Sequence, residues 1–211
     1  MSMPEIPRLY LITPPEIELS YFPQVLASLM DAHDVACVRM ALSTHDEDAL
    51  CRAADACRAV TTPRDVALVI DTHFILAERL GLDGVHLGDG ARSVRKARTA
   101  LGIDASVGSF CGVSRHDGLS AGEAGADYVS FGPAGVSALG DGKQADGELF
   151  EWWSQMIEVP IVAEGALDRD AVAELAQTTD FLAFGNELWQ SDDPLVALDE
   201  LVEVLSASFV E

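Results

Sequence analysis

The sequence predicts a single α/β domain over residues 1–211, folded as a (β/α)8 TIM barrel. Three observations carry that expectation. Short apolar runs alternate with helical patterns from end to end, there are eight of each, and the last two runs both break on a glycine, Gly165 and Gly185. Strands that alternate with helices pair in parallel, because each helix returns the chain to the same edge of the sheet. Eight such units favour closure into a barrel over an open doubly wound sheet. At 211 residues the chain is shorter than the roughly 250 typical of the fold, so its loops must be tight.

The first strand is expected over 8–13, an apolar run stopped by Pro14 and Pro15, with a helix over 22–30 behind it. The second covers 35–40, and an alanine-rich amphipathic helix over 45–60 follows, with Ser43 and Thr44 as candidate caps. A third strand over 66–71 ends on the carboxylate of Asp71 and leads to a short helix over 74–80. Next come a very short strand at 84–88 with a helix over 91–101, and a strand at 105–109 with a helix that includes 119–124. The sixth strand, 127–131, is closed by Gly132 and Pro133, and a small-residue loop of mobile composition fills 134–147. A helix over 149–156 precedes the two glycine-ended units, whose runs begin at 159 and 181, and the last helix is expected over 194–206.

The formal charge of -22, from 35 acidic side chains against 13 basic ones, repels polyanions, so nucleic acid and anionic membrane surfaces are poor partners. The same field opposes a diphosphate unless a metal or a basic cluster intervenes, and the lysines are only Lys96 and Lys143. Solubility, or adaptation to salt, accounts for the charge without any partner. No apolar run nears the ~20 residues of a membrane span, and residues 1–7 lack a basic segment followed by an apolar core, so a cytoplasmic protein is expected. Cys37, Cys51, Cys57 and Cys111 show no C-x-x-C spacing and read as buried reduced thiols.

The glycine-ended units carry the strongest functional signal. Two strand, glycine turn, helix units side by side leave free N–H groups at the ends of neighbouring parallel strands, an arrangement that suits a phosphate. Gly165, Ala166, Gly185 and Asn186 are therefore the candidate phosphate-binding residues. The alternative is that both glycines only relieve tight turns.

Taken together, Leu9-Tyr-Leu-Ile-Thr13, Ala77-Glu-Arg-Leu-Gly-Leu-Asp-Gly-Val-His-Leu-Gly88, Gly125-Ala-Asp-Tyr-Val-Ser-Phe-Gly-Pro133 and Val159-Pro-Ile-Val-Ala163 resemble the thiamine-phosphate synthase family, which also contains a thiazole tautomerase. The resemblance spans nearly the whole chain. It implies a barrel that joins a pyrimidine diphosphate to a thiazole phosphate and releases pyrophosphate with the help of Mg2+, a transferase of thiamine biosynthesis. It also implies a small phosphorylated heterocycle as ligand, with a homodimer left open as the assembly.

Several positions depart from the family pattern. Where the family has Gln-Leu-Arg-Glu-Lys, this chain has Arg39-Met-Ala-Leu-Ser43, so both cations are gone from their places. Strand alternation turns Arg39 to the face of the lost arginine at Ala41. The family's Asn-Asp-Arg becomes Asp71-Thr-His73, and its G-Q-x-D becomes Gly88-Asp-Gly-Ala91, so neither metal carboxylate stands in its usual place. A rebuilt Mg2+ site would use Asp71 and Asp89. Arg39, Asp71, His73 and Lys143 are the candidate catalytic residues; His86 matches the family, and His116 reads as a surface residue. Glu164 is unfavourable to a phosphate if it points inward. Two functions follow: a synthase acting on thiazole phosphate, or a barrel without the diphosphate chemistry that binds a small phosphorylated ligand. A phosphosugar or indole-pathway isomerase on the same fold rests only on shared phosphate geometry.

Overall fold

A computed structural model describes residues 5–210, and its eight parallel strands close into a barrel in sequence order. The strands are β1 (Arg8–Ile12), β2 (Val35–Met40), β3 (Ala67–Asp71), β4 (Gly84–Leu87), β5 (Ser106–Phe110), β6 (Tyr128–Phe131), β7 (Ile161–Glu164) and β8 (Phe181–Phe184). Around them run α1 (Phe22–Ala32), α2 (Glu47–Thr61), α3 (Phe74–Leu80), α4 (Val94–Leu101), α5 (Arg115–Ala124), α6 (Gly147–Met156), α7 (Arg169–Leu175), a single turn α8 (Asn186–Trp189) and α9 (Pro194–Ala207). Among the described residues no helix is long and apolar enough to cross a membrane.

Each expected strand and helix is present, and the differences lie at element ends, in one broken helix and in one added helical turn. Asp46 rather than Ser43 or Thr44 caps α2, its carboxylate accepting from the N–H groups of Asp48 and Ala49. Helix α5 starts at Arg115, four residues before the apolar pattern begins, because Ser114 caps it and Gly118 lies on its buried face. A Cβ on Gly118 would stand 2.6 Å from the Trp153 ring, so the helix packs closely there through a residue that carries no hydrophobic signal. The expected helix over 91–101 is broken into a 3-10 turn and α4. Helix α8 was not expected; the Trp189 indole N–H ties it to the carbonyl of Ile12, 2.6 Å away.

Three αβ loops share one device. Asp83, Asp127 and Asp180, each just before a strand, accept the first or second N–H of the preceding strand, from Leu68, Val107 and Ile161 at 2.7–2.8 Å. The Asp-Gly-Val and Ala-Asp-Tyr segments of the resemblance thus hold the bottom of the barrel together.

Most of the core lies between strands and helices, with Leu11, Leu26, Val85, Phe131 and Phe184 fully buried in it. A smaller cluster of Tyr10, Cys37, Val69, Val162 and Ala183 fills the barrel interior. Period-two alternation carries the same inward face up each strand, from Cys37 to Arg39, Val69 to Asp71, Tyr128 to Ser130 and Val162 to Glu164. The interior therefore turns from apolar to polar toward the C-terminal strand ends. Gly108 makes room for the Tyr128 ring: a Cβ there would lie 2.0 Å from the ring carbon that bears the hydroxyl.

Gly108→Ala should accordingly destabilise the fold by about 1–3 kcal/mol through overpacking. Gly88→Ala, where nothing lies within 4 Å of the new methyl, should change it by less than about 0.5 kcal/mol. Urea denaturation of both variants checks this, and equal stabilities would refute the account of Gly108.

Candidate functional site

Arg39 lies at the centre of the polar layer, with its side chain 7% exposed. Its NH2 group donates to Glu164 Oε2 at 2.6 Å, NH1 to Glu164 Oε1 at 3.3 Å, and Nε stands 3.2 Å from Asp71 Oδ1. That last contact is an ion pair without hydrogen-bond geometry, since Arg39 Nε and Asp71 Oδ1 are both buried and lack a hydrogen-bond partner. The guanidinium also stands 5.9 Å from the centre of the Tyr10 ring.

From Glu164 a hydrogen-bonded chain crosses the barrel. The Ser130 hydroxyl donates to Glu164 Oε1 at 2.5 Å and lies 3.4 Å from His86 Nε2. His86 Nδ1 is 3.1 Å from the Tyr128 hydroxyl, which is 2.9 Å from that of Tyr10. A neutral imidazole donates at one nitrogen and accepts at the other. With Ser130 committed to Glu164, every contact is satisfied if Nε2–H donates to Ser130 and Nδ1 accepts from Tyr128, which in turn accepts from Tyr10. All donors then point toward the Glu164 carboxylate.

The charges follow from this packing. Burial pushes the Glu164 carboxyl up, but the Arg39 guanidinium and then His86 outweigh it and bring its pKa down to about 2. Burial, joined by Arg39, lowers His86 to about 3, against the pull of Glu164, so the imidazole is neutral. Burial works against the charge of Arg39, yet Glu164 and Asp71 raise its pKa well above the ordinary value. Asp71 is raised to about 6 by burial, with Arg39 opposing and Glu164 adding to the rise; its side chain is 36% exposed, so water reaches it. Burial raises both Tyr10 and Tyr128, which stay protonated.

Above this floor opens a cavity of about 540 Å3. Gly165, Ala166, Gly185 and Asn186 line it together with Arg39 and Glu164, while the loop after β6 closes its far side through Ser137 and Leu139. Gly165 and Ala166 both have positive φ, 88° and 54°, a conformation open to glycine and strained for alanine. Glu164 does point inward, but Arg39 rather than solvent neutralises it. Among the described residues no acceptor stands on the N–H groups of Ala166 and Asn186. Glu187 was not foreseen. Its two carboxylate oxygens accept from Gly185 N–H at 2.7 Å and Leu167 N–H at 2.8 Å. An acid in the first turn after a glycine is its only sequence signal, and that is too common to single it out.

The other candidates separate. Arg39 and Asp71 are in contact, whereas His73 lies with His45 in a different cavity of about 300 Å3, the two rings 6.2 Å apart. Lys143 is exposed on the loop, with Nζ 2.9 Å from Asp141. Asp89 accepts the Ser93 hydroxyl at 2.7 Å, and His116 is exposed on α5. Asp71 is engaged by Arg39 and Asp89 by Ser93, and no group of three His, Cys, Asp or Glu side chains converges as a metal site among the described residues. As placed, these residues do not fit a Mg2+ ion.

A family model described as thiamine monophosphate synthase matches residues 9–185. The thiamine-phosphate synthase of Rhodospirillum centenum is 42% identical over 86% of this chain and 89% of its own length. That of Erythrobacter litoralis is 39% identical over 99% of this chain and 100% of its own. A thiamine phosphate pyrophosphorylase structure from Pyrococcus furiosus superposes with a TM-score of 0.81 over 96% of this chain and 97% of that one, at 20% identity, which is likeness of fold.

Glu164→Gln should cost about 3–5 kcal/mol at pH 7, because it leaves the Arg39 charge buried with only Asp71 beside it. Glu164 has a depressed pKa, so its stabilisation is present above the ordinary 4.5 and is lost as pH falls through about 2. The gap between the two proteins should therefore hold from pH 7 to about pH 5 and narrow below that; a gap that stayed constant to pH 2 would contradict the ion pair.

Proposed function

The chain belongs to the thiamine-phosphate synthase family, and on that premise we propose that its barrel mouth binds a small phosphorylated heterocycle, thiazole phosphate being the family's own example. One observation carries this reading: Gly165, Ala166, Gly185 and Asn186 meet in a single cavity above Arg39. Backbone N–H groups serve a phosphate without any particular side chain, so this half of the family's chemistry survives change in sequence. The diphosphate half is poorly supplied. Ala41 and Ser43 stand where the family has cations, Lys143 is exposed and paired with Asp141, and Arg39 is already shared by two carboxylates. Departure of pyrophosphate depends on positioning and countercharge, so its rate here is expected to be low.

A second reading, a working thiamine-phosphate synthase, is favoured by the names of relatives 42% and 39% identical to this chain. Melting curves separate the two. Under the first reading thiazole phosphate stabilises the protein, by about 2.7 kcal/mol at a hundredfold excess over its Kd, and the pyrimidine diphosphate adds little. Gly185→Leu should remove the shift, because a Cβ there already lies 3.4 Å from Ile12 and the rest of the side chain must enter the cavity. Titration with Mg2+ alone should show no tight stoichiometric binding. Stabilisation by both substrates with steady accumulation of thiamine phosphate would establish the second reading. Tight Mg2+ binding lost in Asp71→Ala or Asp89→Ala would identify a rebuilt metal site.

A further inference from the structure

Among the described residues, Glu187 is the one acid whose carboxylate accepts from backbone N–H groups at the turns assigned to the phosphate. Its oxygens take one N–H from each side of the β7/β8 mouth, Leu167 and Gly185, at distances a phosphate oxygen would adopt. It lines the 540 Å3 cavity and also a neighbouring one of about 510 Å3, so its side chain forms part of the wall between them. The second cavity contains Arg169, an exposed guanidinium held only loosely, 3.8 Å from Glu200. A carboxylate leaving the amides therefore has a cation to turn toward.

We propose that Glu187 is a specificity-determining residue of this cavity: its carboxylate holds the Gly185 and Leu167 amides in place of a ligand anion, and a phosphate gains them by displacing it toward Arg169. The proposal rests on the phosphate reading above and adds a selection rule to it. A singly charged carboxylate ligand offers the amides nothing that Glu187 does not already give, whereas a phosphate dianion brings more charge and a third oxygen for the free N–H groups of Ala166 and Asn186. The cavity should thus reject small carboxylates and accept phosphate monoesters. The competing account is a fixed clamp, in which Glu187 ties α8 to the β7 turn and never moves.

Calorimetry with inorganic phosphate, thiazole phosphate and acetate on the full chain tests this. Glu187→Gln, which keeps the shape and removes the charge, and Glu187→Ala should bind inorganic phosphate at least about tenfold more tightly than the parent, since a like charge no longer opposes the anion. Acetate should bind to Glu187→Ala and not to the parent. Arg169→Ala should weaken phosphate binding in the parent background and have no effect in the Glu187→Ala background, a coupling that a fixed clamp does not produce. If the parent binds phosphate as tightly as both Glu187 variants, the displacement role is wrong while the phosphate reading stands. If the variants bind more weakly than the parent, Glu187 is part of the clamp. If no protein binds phosphate or thiazole phosphate, both this proposal and the phosphate reading fall. Glu187→Gln carries the test should Glu187→Ala fold poorly.

Discussion

The buried pair of Arg39 and Glu164 is the interaction on which the site depends. Neither group could lie inside an eight-stranded barrel alone, since an unpaired charge there would lose several kcal/mol of solvation. Together they neutralise each other through a 2.6 Å bond to Oε2 and a longer 3.3 Å bond to Oε1, and Oε1 has room for a second donor. Ser130 meets it, His86 meets Ser130, and Tyr128 and Tyr10 complete the line across the barrel. The glycine at 108 exists because the Tyr128 ring needs its space. The ion pair thus explains why the interior is polar on its upper half, while burial, joined by Arg39, keeps the histidine neutral and the Tyr128 ring leaves no room for a side chain at 108.

The same pair divides the cavity into two kinds of recognition. On the β7 and β8 side the donors are backbone amides, whose positions are set by strand ends and left-handed turns. On the β2 and β3 side recognition would need side-chain cations, and the one Arg or Lys that lines this cavity among the described residues, Arg39, is used by the protein itself. Asp71 shares in that use: its contact with Arg39 lacks hydrogen-bond geometry, and burial holds its pKa near 6. Family membership therefore fixes the barrel, while the proposed ligand rests on which half of the mouth has donors to offer.

The barrel was legible because its signals are periodic and local: eight apolar runs, turn glycines and helical stripes do not depend on distant partners. Helix α5 shows the limit, for its Gly118 packs on Trp153 through the absence of a side chain. At the site, the grouping of Gly165, Ala166, Gly185 and Asn186 was readable because adjacent strand ends in a closed parallel barrel must be neighbours. The partner of Arg39 was not readable, since it lies 125 residues away and only closure brings β7 across from β2. Glu164 reads as unfavourable to a phosphate if it points inward, for the same reason. Its direction stays open in the sequence, and so does what it meets. Glu187 and the separation of His73 from Arg39 depend on rotamers and loop paths, which carry no periodic signal.

The net charge of -22 bears less on the ligand than it first suggests. Exposed charges are screened over about 8 Å at physiological salt, so most of the acidic surface on the helices acts weakly at the barrel mouth. What an entering anion meets is the local set: Arg39, already compensated by Glu164 and Asp71, and the carboxylate of Glu187 on the amides. That set is negative, and two of the amides at the mouth, those of Gly185 and Leu167, are turned toward Glu187. On the proposed phosphate reading, discrimination at this mouth is a contest between two anions for the same N–H groups, decided within a few ångströms and only weakly sensitive to the charge on the rest of the surface.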